Sequence, residues 1–231
     1  MVTLKGKRED WVKLFAVISS YVKETKITVS DGTASVVAID PANVAIVKAN
    51  MPCEGECDPF CVKVEQIMKA LNAAGGEDVT FSFDEYMSDL TIIGSARVKM
   101  PLLADLGEIK DIKRSMFDTI SGSSSFNPTE VKQCTTYGMF NKEGAVTITI
   151  KDNTLTISVG EDRYTAEITT EGATGEAKGT YPLDYFDTLI KQSEGSNVSV
   201  KIPHDDFPML TEWTSGNAEF SIVLAPRVSN E

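Results

Sequence analysis

A single shift lays the second half of this chain on the first. DGTASVVAIDPANVAIVK from Asp31 parallels DNTLTISVGEDRYTAEIT from Asp152, an offset of 152 − 31 = 121. IMKALNAAGGEDVTFSF from Ile67 parallels LIKQSEGSNVSVKI from Leu189, an offset of 189 − 67 = 122. Helical periods fall on helical periods and strand meanders on strand meanders along nearly the whole length, which marks an internal duplication. The fold must therefore accept the same order of elements twice, and 231 residues suffice for two similar domains with real cores.

Within each half the order is strand, helix, three strands, run twice. MVTLKGK alternates as a strand. REDWVKLFAVISSYV then takes a helical period, with Trp11, Leu14, Phe15, Ile18 and Val22 on one face. KITVSDGTASVVAIDPANVAIVKANM reads as a meander, with SDGT as a hairpin turn and DPAN as a corner stiffened by Pro41. A cysteine-bearing loop follows. The next helix spans VKVEQIMKALNAAGG, with Val64, Ile67 and Leu71 inward and Gly75-Gly76 as its stop. VTFSFDE, DLTIIGS and ARVKMPLL are strands.

ADLGEIKDIKR breaks the pattern. It is charged, and its isolated Leu106, Ile109 and Ile112 make neither a strand nor a closed helix face, so it reads as a linker carrying exposed hydrophobes. The expected division is 1–104, a connecting loop 105–114, and 115–231. The second half opens with SMFDTIS as a strand. A helix over NPTEVKQCTTYGM follows, capped by Asn127 with Pro128 in its first turn. AVTITIK, TLTISVG and RYTAEIT are strands. YPLDYFDTLIKQS is a helix with Leu183, Phe186, Leu189 and Ile190 inward, and NVSVKIP, FPMLTEWTS and AEFSIVLAPRV close the chain. The fold class is α+β.

The formal net charge is −12, from 34 acids against 22 bases. Such a balance argues against nucleic-acid binding unless the bases collect on one surface. Each helix projects one lysine away from its apolar stripe: Lys13, Lys69, Lys132 and Lys191. Glu65 and Asp184 share those faces, so the surface is mixed.

No catalytic kit is visible. The chain has one histidine, His204, in a turn-rich stretch, and no G-x-S-x-G, His-Glu-x-x-His, P-loop or glycine fingerprint. Cys53, Cys57 and Cys61 fall at Cys-x3-Cys-x3-Cys with no second ligand pair beyond Cys134 and His204, so reduced thiols are expected rather than a metal site. No cofactor and no enzymatic activity are expected. No apolar run reaches 18 residues and the N-terminus has no apolar signal core, so the expectation is an intracellular protein with no membrane contact.

The corner AIDPANVAIV, the charged linker ADLGEIKDIKR and the closing LAPRV, set within this duplication, resemble the proliferating-cell-nuclear-antigen type of DNA sliding clamp over essentially all 231 residues. The resemblance implies a ring of three identical subunits that encircles double-stranded DNA without reading its sequence. Twelve helices would line the hole, bringing Lys13, Lys69, Lys132 and Lys191 to the phosphates. It makes SARVKMPLL and RYTAEITT the strands that pair between subunits, with Arg97, Lys99, Arg163 and Tyr164 at the interface; unpaired edge strands are a physical reason for such a ring. It further implies an outer-face groove of Ile39, Val44, Leu106, Ile109, Ile112, Pro208, Val223, Ala225, Pro226 and Arg227. There, DNA polymerase, clamp loader, flap endonuclease and ligase dock short motifs and hydrogen-bond the backbone near Ala225 to Arg227. Val223 stands where the family often carries an aromatic. Localisation follows the source: cytoplasmic with the nucleoid if archaeal, nuclear if eukaryotic. The alternatives are a subunit of a heteromeric or checkpoint-type ring and, from another class, a β-rich hydrolase without a recognisable motif.

Overall fold

The duplication in the sequence is a duplication of structure. The computed structural model describes residues 2–109, 111–160 and 165–227. Their contacts form two units, Met1–Asp111 with Ser215–Phe220, and Ile112–Thr214 with Ser221–Glu231. The first contains β1 (Val2–Lys7), α1 (Arg8–Ser19), β2 (Glu24–Ser30), β3 (Thr33–Ile39) and β4 (Ala45–Pro52). It repeats the order in β5 (Phe60–Lys63), α2 (Val64–Ala74), β6 (Asp78–Phe83), β7 (Asp89–Ile93) and β8 (Arg97–Pro101). The second unit runs β9 (Gly122–Phe126), α3 (Pro128–Phe140), β10 (Ala145–Lys151), β11 (Thr154–Val159) and β12 (Ala166–Glu171). A two-residue β13 (Thr174–Gly175) intervenes before β14 (Ala177–Pro182), α4 (Leu183–Gln192), β15 (Val198–Ile202), β16 (Met209–Ser215) and β17 (Ala218–Leu224), of which Ser221–Leu224 belongs to this unit. No described helix is long and apolar enough to cross a membrane.

In the first unit the antiparallel orders are β1-β6-β7-β8 and β4-β3-β2-β5; in the second they are β12-β11-β10-β14 and β13-β9-β15-β16-β17. Equivalent hairpins use equivalent turns. Asp31 and Gly32 have φ 51° and 71°, and Asp152 and Asn153, 121 residues on, have φ 52° and 62°. Two consecutive positive φ values give the two-residue turn whose twist matches that of the strands it joins.

Each unit packs its helix pair on its sheets. In the first, Trp11, Leu14, Phe15 and Ile18 of α1 and Ile67 and Leu71 of α2 are fully buried, and the Trp11 ring lies 4.6 Å from Phe81. In the second, Leu183, Phe186, Leu189 and Ile190 of α4 are fully buried, with Phe186 6.1 Å from Phe126. Fully burying one such side chain contributes roughly 1.5–3 kcal/mol.

Three of the helices begin where a strand ends, without a loop. Their N-cap residues, Lys7, Lys63 and Pro182, are extended and cap with no side chain. A helix start leaves N–H groups without intrahelical partners. Here a distant carbonyl accepts the first one. Arg8 N–H donates to Glu77 O at 2.9 Å, Val64 N–H to Lys23 O at 2.9 Å, and Leu183 N–H to Gly144 O at 3.3 Å. Glu77 follows α2, Lys23 follows α1 and Gly144 follows α3. The start of one helix is thus closed by the chain leaving its neighbour, which sets the two antiparallel. Only α3 uses the expected local device, with Asn127 Oδ1 accepting from Thr129 N–H at 3.0 Å.

These joins correct three readings of the sequence. The second helix starts at Val64, and Phe60–Lys63 is a strand that carries Cys61 out of the expected loop and into the core. Tyr181 and Pro182 end strand β14 rather than open the fourth helix. In both places β-pairing extends up to the first helical residue, with no loop between strand and helix. SMFDTIS is not a strand: Arg114–Phe117 is a 3-10 turn anchored by buried Phe117. The strand lies at the polar GSSSF that follows, where only Gly122 and Phe126 are buried and no apolar alternation exists to be read.

Gly138 of α3 is packed closely against Leu183 and Val159. A Cβ there would stand 2.7 Å from Leu183 Cδ2 and 3.1 Å from Val159 Cβ. Gly138→Ala is expected to cost about 1–3 kcal/mol by overpacking, although alanine is the better helix former. Thermal denaturation checks this through a lowered Tm; a raised one would show that the contact relaxes.

Candidate functional site

Two surfaces carry the candidate residues: the wet faces of the helices, and the corner with its linker. On the helices every expected lysine already holds an acid of its own unit. Lys13 pairs with Glu9 at 2.9 Å and Lys69 with Glu65 at 2.5 Å. In the second unit Lys132 pairs with Glu194 at 2.9 Å and Lys191 with Asp187 at 2.6 Å. The hydrogen bond from Lys13, and likewise that from Lys69, holds the Glu9 and Glu65 carboxyls below their ordinary value. Glu65 was legible in the sequence. Asp184 instead turns back on its own helix start, accepting from Tyr185 N–H at 2.9 Å. The acid beside Lys191 is Asp187, a buried residue that also accepts from the Thr135 hydroxyl at 2.8 Å. Glu9, Asp187 and Glu194 were missed; for Glu9 and Asp187 the signal was their place one turn before Lys13 and Lys191.

The corner is built by Asp40 more than by Pro41. The Asp40 carboxylate is buried and accepts from the N–H groups of Ala42 at 2.9 Å and of Val44 and Ala45 at 2.6 Å each. Asn43 takes the left-handed conformation, φ 57°. Three backbone donors on one carboxylate fix the corner, so Val44 is presented at a set height. Ile39 pairs across the hairpin with Ile46. Val37, Ile39, Val44 and Ile46 are all half-buried along the solvent-side register of β3 and β4. Val37 and Ile46 were missed, although strict alternation with the buried Val36, Ala38, Ala45 and Val47 would have placed them.

The linker residues 105–111 are held to this first unit by two ion pairs. Lys26 of β2 reaches Asp105 at 2.7 Å, and Lys48 of β4 reaches Asp111 at 2.5 Å. Leu103 bridges Cys61 of β5 just before them. Between these anchors Leu106 is exposed and Ile109 half-buried. Ile112 corrects the expectation of three exposed hydrophobes: it is only 8% exposed and belongs to the second unit. In that unit Arg114 reaches Glu212 at 3.2 Å and Lys201 reaches it at 2.8 Å. Burial alone would raise the Glu212 carboxyl, but these two cations hold it below its ordinary value.

The remaining candidates of the second unit are placed as follows. Pro208, Ala225 and Pro226 are half-buried, Val223 is buried and Arg227 is exposed. The Arg227 N–H donates to Thr180 O at 2.7 Å, so that donor is engaged within the chain. The strands expected to pair between subunits each lie at the end of a sheet, β8 beyond β7 and β12 beyond β11. Arg97 and Lys99 are exposed, and Lys99 pairs with Asp89 at 2.8 Å. Arg163 and Tyr164 lie outside the described residues.

The cysteines form no disulfide among the described residues, and no cluster of three His, Cys, Asp or Glu there is placed to hold a metal. Burial pushes the Cys57 thiol up to about 12 and raises those of Cys53 and Cys134.

The linker straps give a prediction with a defined pH window. Asp105 is held below its ordinary 3.8 by the Lys26 hydrogen bond and then by Gly107 N–H, and Lys26 is held above its ordinary 10.5 by Asp105. A depressed carboxyl and a raised ammonium favour the strapped form between those values; the contribution is lost as pH falls through the Asp105 value or rises through the Lys26 value. Lys26→Ala with Lys48→Ala should increase hydrogen exchange in residues 105–111 at neutral pH. Tm should move little, since surface ion pairs contribute little to global stability.

Comparison with protein-family profiles and with curated proteins finds no match. Solved structures do match. The A. fulgidus PCNA bound to the C-terminal region of FEN-1 is 18% identical, with all of both chains covered and a TM-score of 0.82. Entamoeba histolytica PCNA is 15% identical over 98% of this chain and 99% of its own, TM-score 0.82. The PCNA2–PCNA3 complex of Sulfolobus tokodaii matches at 14% identity over 97% and 99%, TM-score 0.78. Along its whole length, then, the chain has the fold of the PCNA sliding clamps.

Proposed function

We propose that this protein is a DNA sliding clamp, a non-enzymatic processivity factor. It closes as a homotrimer around duplex DNA and tethers replication and repair proteins through the outer face of its linker. The observation that carries the reading is agreement of fold, end to end, with PCNA clamps of archaeal and eukaryotic source. Its domains are 1–104 and 115–231, joined by the connecting loop 105–114. The mechanism is topological. A closed ring stays on DNA even though each contact is weak, and contacts to phosphates reform at every step because they carry no sequence information. Lys13, Lys69, Lys132 and Lys191 make those contacts. Sheet ends β8 and β12 pair between subunits, which disposes of two unpaired edges at once.

Partner peptides dock beside Ile39, Val44, Leu106 and Ile109 of the first unit; Pro208 and the segment Ala225–Arg227 are the second unit's own candidate contacts, whereas Ile112 and Val223 are buried and offer no contact surface. The corner pinned by Asp40 loses little entropy on binding. Polymerase, clamp loader, flap endonuclease and ligase are the expected occupants; the A. fulgidus clamp is seen with the C-terminal region of FEN-1.

A heteromeric ring is the second reading, supported by the similarity to the PCNA2–PCNA3 complex. Sedimentation of the purified chain from low to molar salt separates the two. A homotrimer carries 3 × −12 = −36 formal charges, so added salt should favour assembly. A monomer at every salt concentration would sink the homotrimer and leave the heteromeric ring.

Ile109→Ser with Pro226→Ser should abolish binding of a clamp-interaction peptide in calorimetry while sedimentation and Tm stay near those of the wild type. Equal affinity would move the docking site elsewhere.

A further inference from the structure

The four helix lysines would be expected to reach out for phosphate, yet each is already occupied. The pairing is systematic. It holds on α1 and α2 in the first unit and on α3 and α4 in the second. In three pairs the acid precedes the lysine by four residues, the orientation that favours pairing on a helix. Each helix carries one lysine, and the only other base on them, Arg8, is turned onto Gly76 O at 2.8 Å and the Asn72 side chain. No cation on these helices is therefore held out to solvent without a partner among the described residues.

We infer that Glu9, Glu65, Glu194 and Asp187 are internal competitors for DNA phosphate, and that they set how loosely the protein grips the duplex. This rests on the clamp reading above. An exposed ion pair is weak enough to be displaced by a phosphate, so each contact is an exchange rather than a capture. The exchange has a thermodynamic signature. A lysine that meets a phosphate releases a condensed counterion. A carboxylate set loose by the same event takes up a cation in turn, so the net ion release per contact is smaller than for an unpaired lysine. Both affinity and salt dependence are held down, while the lysines stay available to the passing backbone. Asp187 differs from the others in being buried and bonded to Thr135, which makes its lysine the most firmly held.

The test is anisotropy of a labelled duplex across salt with four proteins. These are the wild type, Glu9→Gln/Glu65→Gln/Glu194→Gln, a control Glu85→Gln/Glu176→Gln/Glu219→Gln with the same charge change, and Lys13→Ala/Lys69→Ala/Lys132→Ala/Lys191→Ala. Asp187 is left alone because its change would disturb the core. The helix triple is expected to bind roughly threefold to tenfold tighter at low salt, with a steeper slope of log affinity against log salt. The control triple should match the wild type. Equal tightening by both triples would show that overall charge alone acts; no tightening by the helix triple, while the lysine variant still weakens binding, would show that the acids do not compete. Either result overturns the inference and leaves the clamp reading standing. If the wild type and the lysine variant are indistinguishable at all salt concentrations, the assigned DNA face is wrong and the inference falls with it.

Discussion

The fold turns on three hydrogen bonds that no sequence motif announces. In α1, α2 and α4 a strand becomes a helix in a single residue step, which leaves no room for a serine or aspartate cap. The first helical N–H is satisfied instead by a carbonyl from the chain leaving the neighbouring helix: Glu77 for α1, Lys23 for α2, Gly144 for α4. Leaving such a donor buried and unpaired would cost about 1–3 kcal/mol each. Meeting it this way fixes which helix lies beside which, and in which direction. Once the helices are paired, their apolar stripes have one way to face the sheets, and Trp11, Phe15, Phe81, Phe126 and Phe186 fill the cores.

What the sequence revealed was what local chemistry decides. The Asp31-Gly32 turn and its repeat at Asp152 were legible because glycine, asparagine and aspartate are the residues that tolerate two positive φ values in succession. The Asn127 cap was legible because its oxygen acts two residues away. The strands at Phe60–Lys63 and Ala177–Pro182 were not, since each flows into its helix without a loop and without a side-chain cap to mark the change. The candidate site divides along the same line. Ile39, Val44 and the linker apolars stood out against their surroundings. Asp40, Glu194 and the straps at Lys26 and Lys48 did not, because their partners are chosen by the fold rather than by the neighbouring residues.

The acidic balance reads differently once the pairs are in view. A net charge of −12 first counts against DNA, yet part of that acidity is spent locally on the helix lysines. For the sliding clamp proposed above, contacts that are nearly neutral at rest would suit movement along a polyanion. For Lys13, Lys69 and Lys191 the acid lies one helical turn away; for Lys132 it is Glu194, just past the end of α4.

The crossed capping also says something about how small this architecture can be. In three of the four strand–helix–three-strand repeats the carbonyl that closes the helix start belongs to the twin; only the repeat of α3 closes its own, through Asn127. Without such a cap the self-sufficient piece is the pair. An ancestral chain of one uncapped repeat could have closed its own backbone only in the company of a second copy, and fusing the two into one polypeptide converts an encounter that depends on concentration into one that does not.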